Sequence, residues 1–239
     1  MWRPKVDLTQ IGLRLLFTME LLARSKEGEV KLEDLALSLQ APPSLIEKWL
    51  CDLKTKGFME LRGPERSWIV VDKLGLALEA ISLGASPESV SRWLHWRDFE
   101  KLCLKVFELN GFRTILSFRF KAIGHLHEVD VLAIKYPLLL AIDCKSWGIR
   151  SGKPSMLREA VKRQIKRVEA LTSTLPGLKK RLGLEDGARI ILTAVIVTLF
   201  EESLKIYAGI PIVPISKLNN FIQEIHAYLD SLSTWRMEL

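Results

Sequence analysis

The sequence predicts an α/β protein in which a central mixed sheet is flanked by helices and preceded by a small, mostly helical domain. Segments with helical spacing and one short hairpin occupy residues 1–86. Helical and strand-like segments then alternate over residues 87–239, an order typical of a layered α/β domain. We therefore expect two domains, 1–86 and 87–239, with the boundary in the segment GASPESV (84–90).

The first domain is predicted to contain three helices, a hairpin and a closing helix, over residues 9–25, 31–40, 42–58, 59–71 and 72–86. The third helix opens with two prolines and stops at Gly57, both usual helix-end signals. The turn RGPER separates the two short strands of the hairpin. This order resembles a winged helix-turn-helix domain. Such domains often bind DNA, but the domain has no net charge, so dimer or partner contacts are an equal alternative.

The second domain is predicted from the order and spacing of its apolar segments. Its predicted elements are a helix (89–112), three strands (112–121, 127–135 and 138–145), a helix (156–175), a buried strand (189–200), a short strand (207–216) and a final helix (217–232). The first of these helices ends at an Asn-Gly pair, a common C-terminal signal.

The excess positive charge lies entirely in the second domain. The first 86 residues carry 12 basic and 12 acidic side chains, so the net charge of +7 arises beyond them. A basic surface favours nucleic acid or an anionic membrane through counterion release and long-range attraction. Because the chain has no lipidation signal or basic amphipathic anchor, nucleic acid is the expected partner.

Several classes of protein are disfavoured by simple patterns. No window holds the ~18 apolar residues of a membrane span, and the N-terminus lacks the apolar region of a signal peptide. The cysteines, Cys51, Cys103 and Cys144, show no metal or disulfide spacing. No Walker A pattern is present. We therefore expect a reduced, cytoplasmic protein with no membrane partner and no nucleotide cofactor.

Acidic residues occupy matching positions in the hairpin EVDVLAIKYPLLLAIDCK (128–145). If the hairpin turns at its Tyr-Pro dipeptide, its strands pair as Lys135–Leu138, Asp130–Asp143 and Glu128–Lys145. Directly opposed residues have Cβ atoms about 5 Å apart. Two carboxylates that close repel unless a proton or cation lies between them, and Mg²⁺ or Mn²⁺ prefers such oxygen ligands. A longer loop would shift the register and separate the two acids.

A third acid precedes this hairpin on a predicted helix. Alternation along the last strand directs Asp143 and Lys145 to one face of the sheet and Cys144 to the other. Glu100 lies on an apolar helical stripe that also contains Trp93, Trp96, Cys103 and Phe107. Because an acid on a buried face is costly without a partner, we expect Glu100 to approach the two aspartates.

The ordered set of chemical groups comprises a helix with Glu100, a strand with Asp130, and a strand with Asp143-Cys144-Lys145. This set resembles the PD-(D/E)xK nuclease superfamily over about residues 91–200, and most of all its Mrr-type restriction endonucleases and archaeal Holliday-junction resolvases. The resemblance implies a restriction-endonuclease-like fold for residues 87–239. Val129 stands where the family motif has proline, and Asp143 where glutamate is commoner; the family tolerates both.

The resemblance also implies a catalytic set of Glu100, Asp130, Asp143 and Lys145. Asp130, Asp143 and the backbone carbonyl of Cys144 would ligate Mg²⁺ or Mn²⁺, with Glu100 contacting the ion through a water molecule. Lys145 would orient or help deprotonate the attacking water and offset charge on the phosphate. The metal would lower the pKa of that water.

A run of basic residues follows the proposed site. Residues 145–167 hold eight basic side chains and one acid, Glu159. A single sign of charge beside a nuclease site favours phosphate contacts over a merely solvated helix face. The predicted DNA-binding residues are Arg150, Lys153, Arg158, Lys162, Arg163, Lys166 and Arg167. Glu128 and Gln164 are candidates for supporting roles, although a hydrogen-bonded core residue is an equal interpretation of Gln164.

Together these patterns predict a metal-dependent DNA endonuclease that acts in DNA repair, recombination or restriction. We expect a homodimer, since cutting both strands requires two sites. The alternative is a non-catalytic DNA-binding or regulatory protein that uses the winged helix and a nuclease-like fold that no longer cuts. A third hypothesis is a structural subunit of a larger repair complex.

Overall fold

The computed structural model describes residues 8–25, 28–63, 67–147 and 153–239. The chain forms two compact units, Met1–Asp98 and Phe99–Leu239. The prediction of an α/β protein with a mixed sheet flanked by helices is confirmed. Within the described ranges, no helix is long and apolar enough to cross a membrane.

The first unit combines helices with a small antiparallel sheet. Its elements are α1 (Leu8–Arg24), β1 (Glu29–Val30), α2 (Leu32–Ser38), α3 (Pro43–Thr55), β2 (Met59–Arg62), β3 (Ser67–Val70), α4 (Lys73–Ser82) and α5 (Pro87–Ser91). The strands lie in the order β1-β3-β2. The apolar stripe of α3 is buried in the core of this unit. The two-residue strand β1 was not predicted, because it is too short to show alternation.

Part of the charge on α3 is neutralised within the first unit. Asp52 forms an ion pair with Arg14, and Lys56 Nζ lies 2.9 Å from a carboxylate oxygen of Glu79. Lys48 and Lys54 of the same helix are exposed. Only part of the basic charge of α3 is therefore available to an external partner.

The second unit is built on a seven-stranded mixed sheet. Its helices are α6 (Trp96–Leu109), which begins at the division between the units, α7 (Lys153–Leu182) and α8 (Leu218–Tyr228), the last preceded and followed by short 3-10 turns. Its strands are β4 (Arg113–Ala122), β5 (His125–Lys135), β6 (Leu138–Lys145), β7 (Arg189–Thr198), β8 (Ile206–Tyr207), β9 (Ile210–Pro214) and β10 (Thr234–Glu238). The strand order is β4-β5-β6-β7-β9-β8, with β10 also paired to β7. β6, β7 and β9 are parallel, and the other pairs are antiparallel.

The hairpin of β5 and β6 has the predicted register. Lys135 pairs with Leu138, and the ladder continues to Val131 and Ile142, with the tip at the Tyr-Pro dipeptide. The ladder ends at the pair of Val131 and Ile142, one position before the two aspartates. The hairpin therefore carries both acids to the same end of the sheet.

The long helix α7 covers one face of this sheet. Its apolar stripe, which includes Leu157, Val161 and Val168, packs in one core with residues of β4, β5, β6 and β7. The helix extends beyond the predicted end at residue 175 and contains Pro176. Leu182, in its last turn, is fully buried in the same core, which explains why the helix continues past the proline.

The predicted helix over residues 89–112 is instead two helices, α5 and α6. Trp96, the first residue of α6, is 49% exposed rather than part of the buried stripe, whereas Glu100, Cys103 and Phe107 further along the same helix are buried. Val90 of α5 belongs to the core of the first unit. That unit therefore continues past residue 86, where the boundary was expected. Strand β10 was also not predicted.

Candidate active site

Asp143 is the buried centre of the candidate site. Its side chain is 2% exposed, yet both of its carboxylate oxygens have cationic partners. Lys145 Nζ lies 2.6 Å from Oδ2, and Arg167 Nη1 donates a hydrogen bond to Oδ1 at 2.8 Å. Asp143 and Lys145 contact each other because residues two apart on a strand share a face. The charge on this buried acid is thus balanced by two basic side chains.

Asp130 lies on β5 where pairing with both neighbouring strands is interrupted. In the β4–β5 ladder, Val129 and Val131 are both paired, but Asp130 between them is not. The residue at the matching position of β4, Ser117, has φ +49°. Because the β5–β6 ladder also stops short, Asp130 does not form the expected strand pair with Asp143. Instead its Oδ2 accepts a hydrogen bond from the backbone N–H of Cys144 at 2.8 Å. Burial and the charge of Asp143 raise the pKa of Asp130.

Glu100 of α6 is the third acid of the site. It is 8% exposed. Burial and the nearby charges of Asp130 and Glu128 raise its pKa to about 7, against an opposing effect of Lys145. The structure thus brings Glu100 within electrostatic range of the two aspartates and the lysine. This carboxyl group can exchange a proton near neutral pH.

Cys144 points to the opposite side of β6, as strand alternation predicts. Its thiol is hydrogen-bonded with that of Cys103 on α6, and this contact, together with burial, raises the pKa of Cys144 well above its ordinary value. The contact connects the helix that carries Glu100 with the strand that carries Asp143. These two cysteines therefore act as packing residues behind the site.

Glu128 does not form the predicted pair with Lys145. It lies across the ladder from Arg119 on β4, and Arg119 Nε contacts its Oε2 at 2.5 Å. The β5–β6 ladder ends before it reaches Glu128, so nothing aligns the residue with Lys145. Glu128 acts on the site through its charge, which helps to raise the pKa of Glu100.

Gln164 and Arg167 of α7 form a second layer beneath the acids. Gln164 is fully buried, and its Nε2 donates a hydrogen bond to the carbonyl of Ala141 at 2.9 Å. Its Oε1 accepts one from Arg167 Nη1 at 2.6 Å. Arg167 was predicted as a DNA-binding residue, and its contact with Asp143 was missed. The available signal was its spacing: residues three apart on a helix share a face.

The other predicted DNA-binding side chains of α7 that the structure describes are exposed. Arg158, Lys162, Arg163 and Lys166 are exposed, and Lys162 pairs with Glu159 at 2.7 Å. Arg163 and Lys166 have no ion-pair partner among the residues that the structure describes. Two further predicted DNA contacts, Arg150 and the side chain of Lys153, lie outside the described residues.

The acid set offers part of what a divalent cation needs. Carboxylate oxygens are the ligands that Mg²⁺ prefers, and the raised pKa values of Glu100 and Asp130 reflect crowded negative charge that a cation would relieve. Among the described residues, however, no three acid, histidine or cysteine side chains form a ready cluster. The donor chemistry fits the metal, since each oxygen of Asp143 keeps a second acceptor position beside its contact with Lys145 or Arg167.

Comparison with known proteins identifies relatives but no activity. No protein-family model matches the chain. It is 30% identical over 136 residues to an uncharacterized protein of Archaeoglobus fulgidus, a match that covers 57% of this chain and 95% of that protein. The chain belongs to the same family as this uncharacterized archaeal protein.

Two solved structures show a weaker likeness. Protein VC1899 from Vibrio cholerae matches over 94% of this chain, with a TM-score of 0.34 and 14% identity. The protein of unknown function AF1548 matches over 49% of this chain, with a TM-score of 0.31 and 22% identity. The chain spans only 53% and 58% of the length of these two proteins.

Proposed function

We propose that this protein is a metal-dependent DNA endonuclease with a PD-(D/E)xK-type site in its second unit. The observation that carries the proposal is the convergence of Glu100, Asp130, Asp143 and Lys145 at one end of the sheet. A purely structural role does not require three acids whose charges oppose one another. Strongly shifted pKa values in such a cluster are characteristic of functional sites.

Each residue of the cluster has a role that follows from its environment. Asp130 and Asp143, with the Cys144 carbonyl, would hold Mg²⁺ or Mn²⁺, which lowers the pKa of water and neutralises charge on the phosphate. Glu100, whose pKa in the metal-free site is raised to about 7 by burial and the neighbouring acids, would contact the ion through a water molecule. Lys145, held beside Asp143, supplies positive charge where the phosphate becomes more negative.

The outward face of α7 supplies a second argument, for nucleic acid as the substrate. Its exposed residues Arg158, Arg163 and Lys166 lie on the helix that also bears Arg167 of the site. A row of unpaired basic side chains binds phosphates without regard to sequence. The first unit, which resembles a winged helix, would then target the enzyme or support dimer formation.

The decisive experiment is a cleavage assay on purified protein with labelled duplex, single-stranded, flap and four-way-junction DNA. Each substrate is incubated with Mg²⁺, Mn²⁺ or EDTA. We expect metal-dependent cutting that falls by at least about 100-fold in Asp143→Ala and Lys145→Ala. Asp230→Ala, which removes an exposed acid far along the chain, is the matched control. Equal cutting by all four proteins would rule out this site.

The second candidate is a DNA-binding protein that no longer cuts. It is favoured by the engagement of both Asp143 oxygens with Lys145 and Arg167. A metal-binding active site should give the wild type a higher melting temperature in Mn²⁺. Asp130→Ala should abolish this increase. DNA binding without cleavage and without a Mn²⁺ effect would support the non-catalytic candidate instead.

A further inference from the structure

The tip of the β4–β5 hairpin, residues 121–127, is unusual in both exposure and backbone conformation. Ile123 is 91% exposed and Leu126 is 64% exposed. Exposed single apolar residues are common, but two on one hairpin tip form a local apolar projection. The described contacts of the protein leave this projection uncovered.

The turn itself places an unfavourable residue at its apex. Ala122 pairs with His125, so Ile123 and Gly124 are the two central residues, with φ +50° and +78°. A two-residue turn with positive φ at both positions favours Asn-Gly or Asp-Gly. A β-branched side chain with positive φ is a genuine outlier. An isoleucine that is both strained and exposed stabilises neither the turn nor the core, so its presence calls for an external contact.

The tip also carries a basic side chain. The segment RFKAIGHLH (119–127) contains one arginine, one lysine and two histidines, and because Arg119 pairs with Glu128, Lys121 supplies the positive charge beside the apolar pair. Lys121 and His125 are exposed beside the apolar pair, and Lys121 lies opposite Leu126 in the ladder. Ile123 and Leu126, with the charge of Lys121 beside them, would suit a partner that has both negative charge and apolar surfaces. A stacked nucleic acid duplex has both properties.

The tip is connected directly to the candidate site. β5 carries Leu126 near its start and Asp130 four residues later, a distance of roughly 13 Å along the strand. That distance corresponds to about four base steps at 3.4 Å each. A duplex that runs along β5 with a phosphate at the acids would therefore reach the hairpin tip.

We propose that the hairpin tip, with Ile123 and Leu126, is an apolar wedge that inserts between base pairs of DNA bound at the active site. Apolar side chains inserted in this way unstack a base step and kink the duplex. The wedge rests on the proposed function, because it requires DNA at the acids. It would make the enzyme select DNA that bends or opens easily near the cut.

The test uses the full-length protein in EDTA with duplexes that carry 2-aminopurine, a base whose fluorescence rises on unstacking, at successive positions. DNA affinity is measured separately by fluorescence anisotropy. Ile123→Asn is the main variant, because Asn-Gly suits this turn and folding is retained. Leu109→Asn, which replaces an apolar residue that is 76% exposed on α6, is the matched control.

The expected result is a fluorescence rise at one position with the wild type and Leu109→Asn, and its loss with Ile123→Asn. DNA binding without a rise, or an equal rise in all three proteins, would overturn the wedge and leave the nuclease proposal standing. No DNA binding by the wild type would overturn both. A wild-type dimer that becomes a monomer in Ile123→Asn, measured by sedimentation, would assign the tip to contacts with a second copy and overturn the wedge.

Discussion

At Glu100, burial and the charges of neighbouring acids act in the same direction on the pKa. Asp143 is also buried, but both of its carboxylate oxygens have cationic partners, Lys145 and Arg167. The two carboxylates of one site therefore have different surroundings.

The raised pKa of Glu100 makes stability depend on pH. Between the ordinary pKa of 4.5 and the folded value of about 7, the folded protein binds more protons than the unfolded chain. Stability therefore falls as pH rises through this range. We expect the unfolding free energy of the wild type to fall relative to Glu100→Gln between pH 5 and pH 8, measured by urea unfolding in EDTA. Parallel pH profiles for the two proteins would contradict this.

Arg167 and Arg163 lie on the same helix but in different environments. Arg167 donates hydrogen bonds to Asp143 and Gln164, whereas Arg163 is exposed. We expect Arg167→Ala to lower the unfolding free energy by about 2 kcal/mol, since a bond to a buried charged group is lost. Arg163→Ala should change it by less than about 0.5 kcal/mol. Chemical denaturation measures both, and an equal effect would count against the role of Arg167 in the site.

At the level of elements, α7 joins the core to the proposed DNA surface. Its apolar stripe packs on the sheet, Gln164 and Arg167 form a hydrogen-bonded pair at the site, and its outer face is basic. A single helix therefore couples the position of Asp143 to that of the phosphate-binding side chains.

The salt dependence of DNA binding checks the outer face of α7. In Arg163→Ala/Lys166→Ala, two phosphate contacts are lost, so the slope of log affinity against log salt should decrease by about 2. Lys180→Ala is the control, because Lys180 is exposed but lies about 21 Å further along the helix. An unchanged slope in the double variant, or an equal decrease in the control, would remove α7 from the DNA surface.

At the level of the whole molecule, two separate cores underlie the two units. Leu50 is fully buried in the core of the first unit and Leu139 in that of the second. In the proposed function, the second unit cleaves DNA, and the first unit targets the enzyme or supports dimer formation.

Separate cores predict two thermal transitions. Leu50→Ala should lower one transition and Leu139→Ala the other, since each change leaves a cavity that costs about 2–5 kcal/mol. Mn²⁺ should raise only the transition that Leu139→Ala lowers, because the acids lie in that unit. Differential scanning calorimetry measures all three effects. A single transition shifted by both variants would show that the units unfold together.

The sequence by itself determined the class of fold, most helices and strands, and the hairpin register that brings Asp130 and Asp143 to one end of the sheet. These features follow from local patterns: apolar periodicity, turn residues and strand alternation. The nuclease activity, the metal and the DNA partner remain predictions. They rest on Glu100, Asp130, Asp143 and Lys145 and on the resemblance of this set to the PD-(D/E)xK nucleases.

Only the tertiary structure decided what each polar side chain contacts. The predicted helix over residues 89–112 breaks before Trp96, at a point that no single residue type announces, so Trp93 of the predicted stripe lies outside α6. The contact of Arg167 with Asp143, and of Glu128 with Arg119, joins residues 24 and 9 positions apart. Local spacing does not encode such pairs, because they depend on where strands stop pairing and how a helix packs over them.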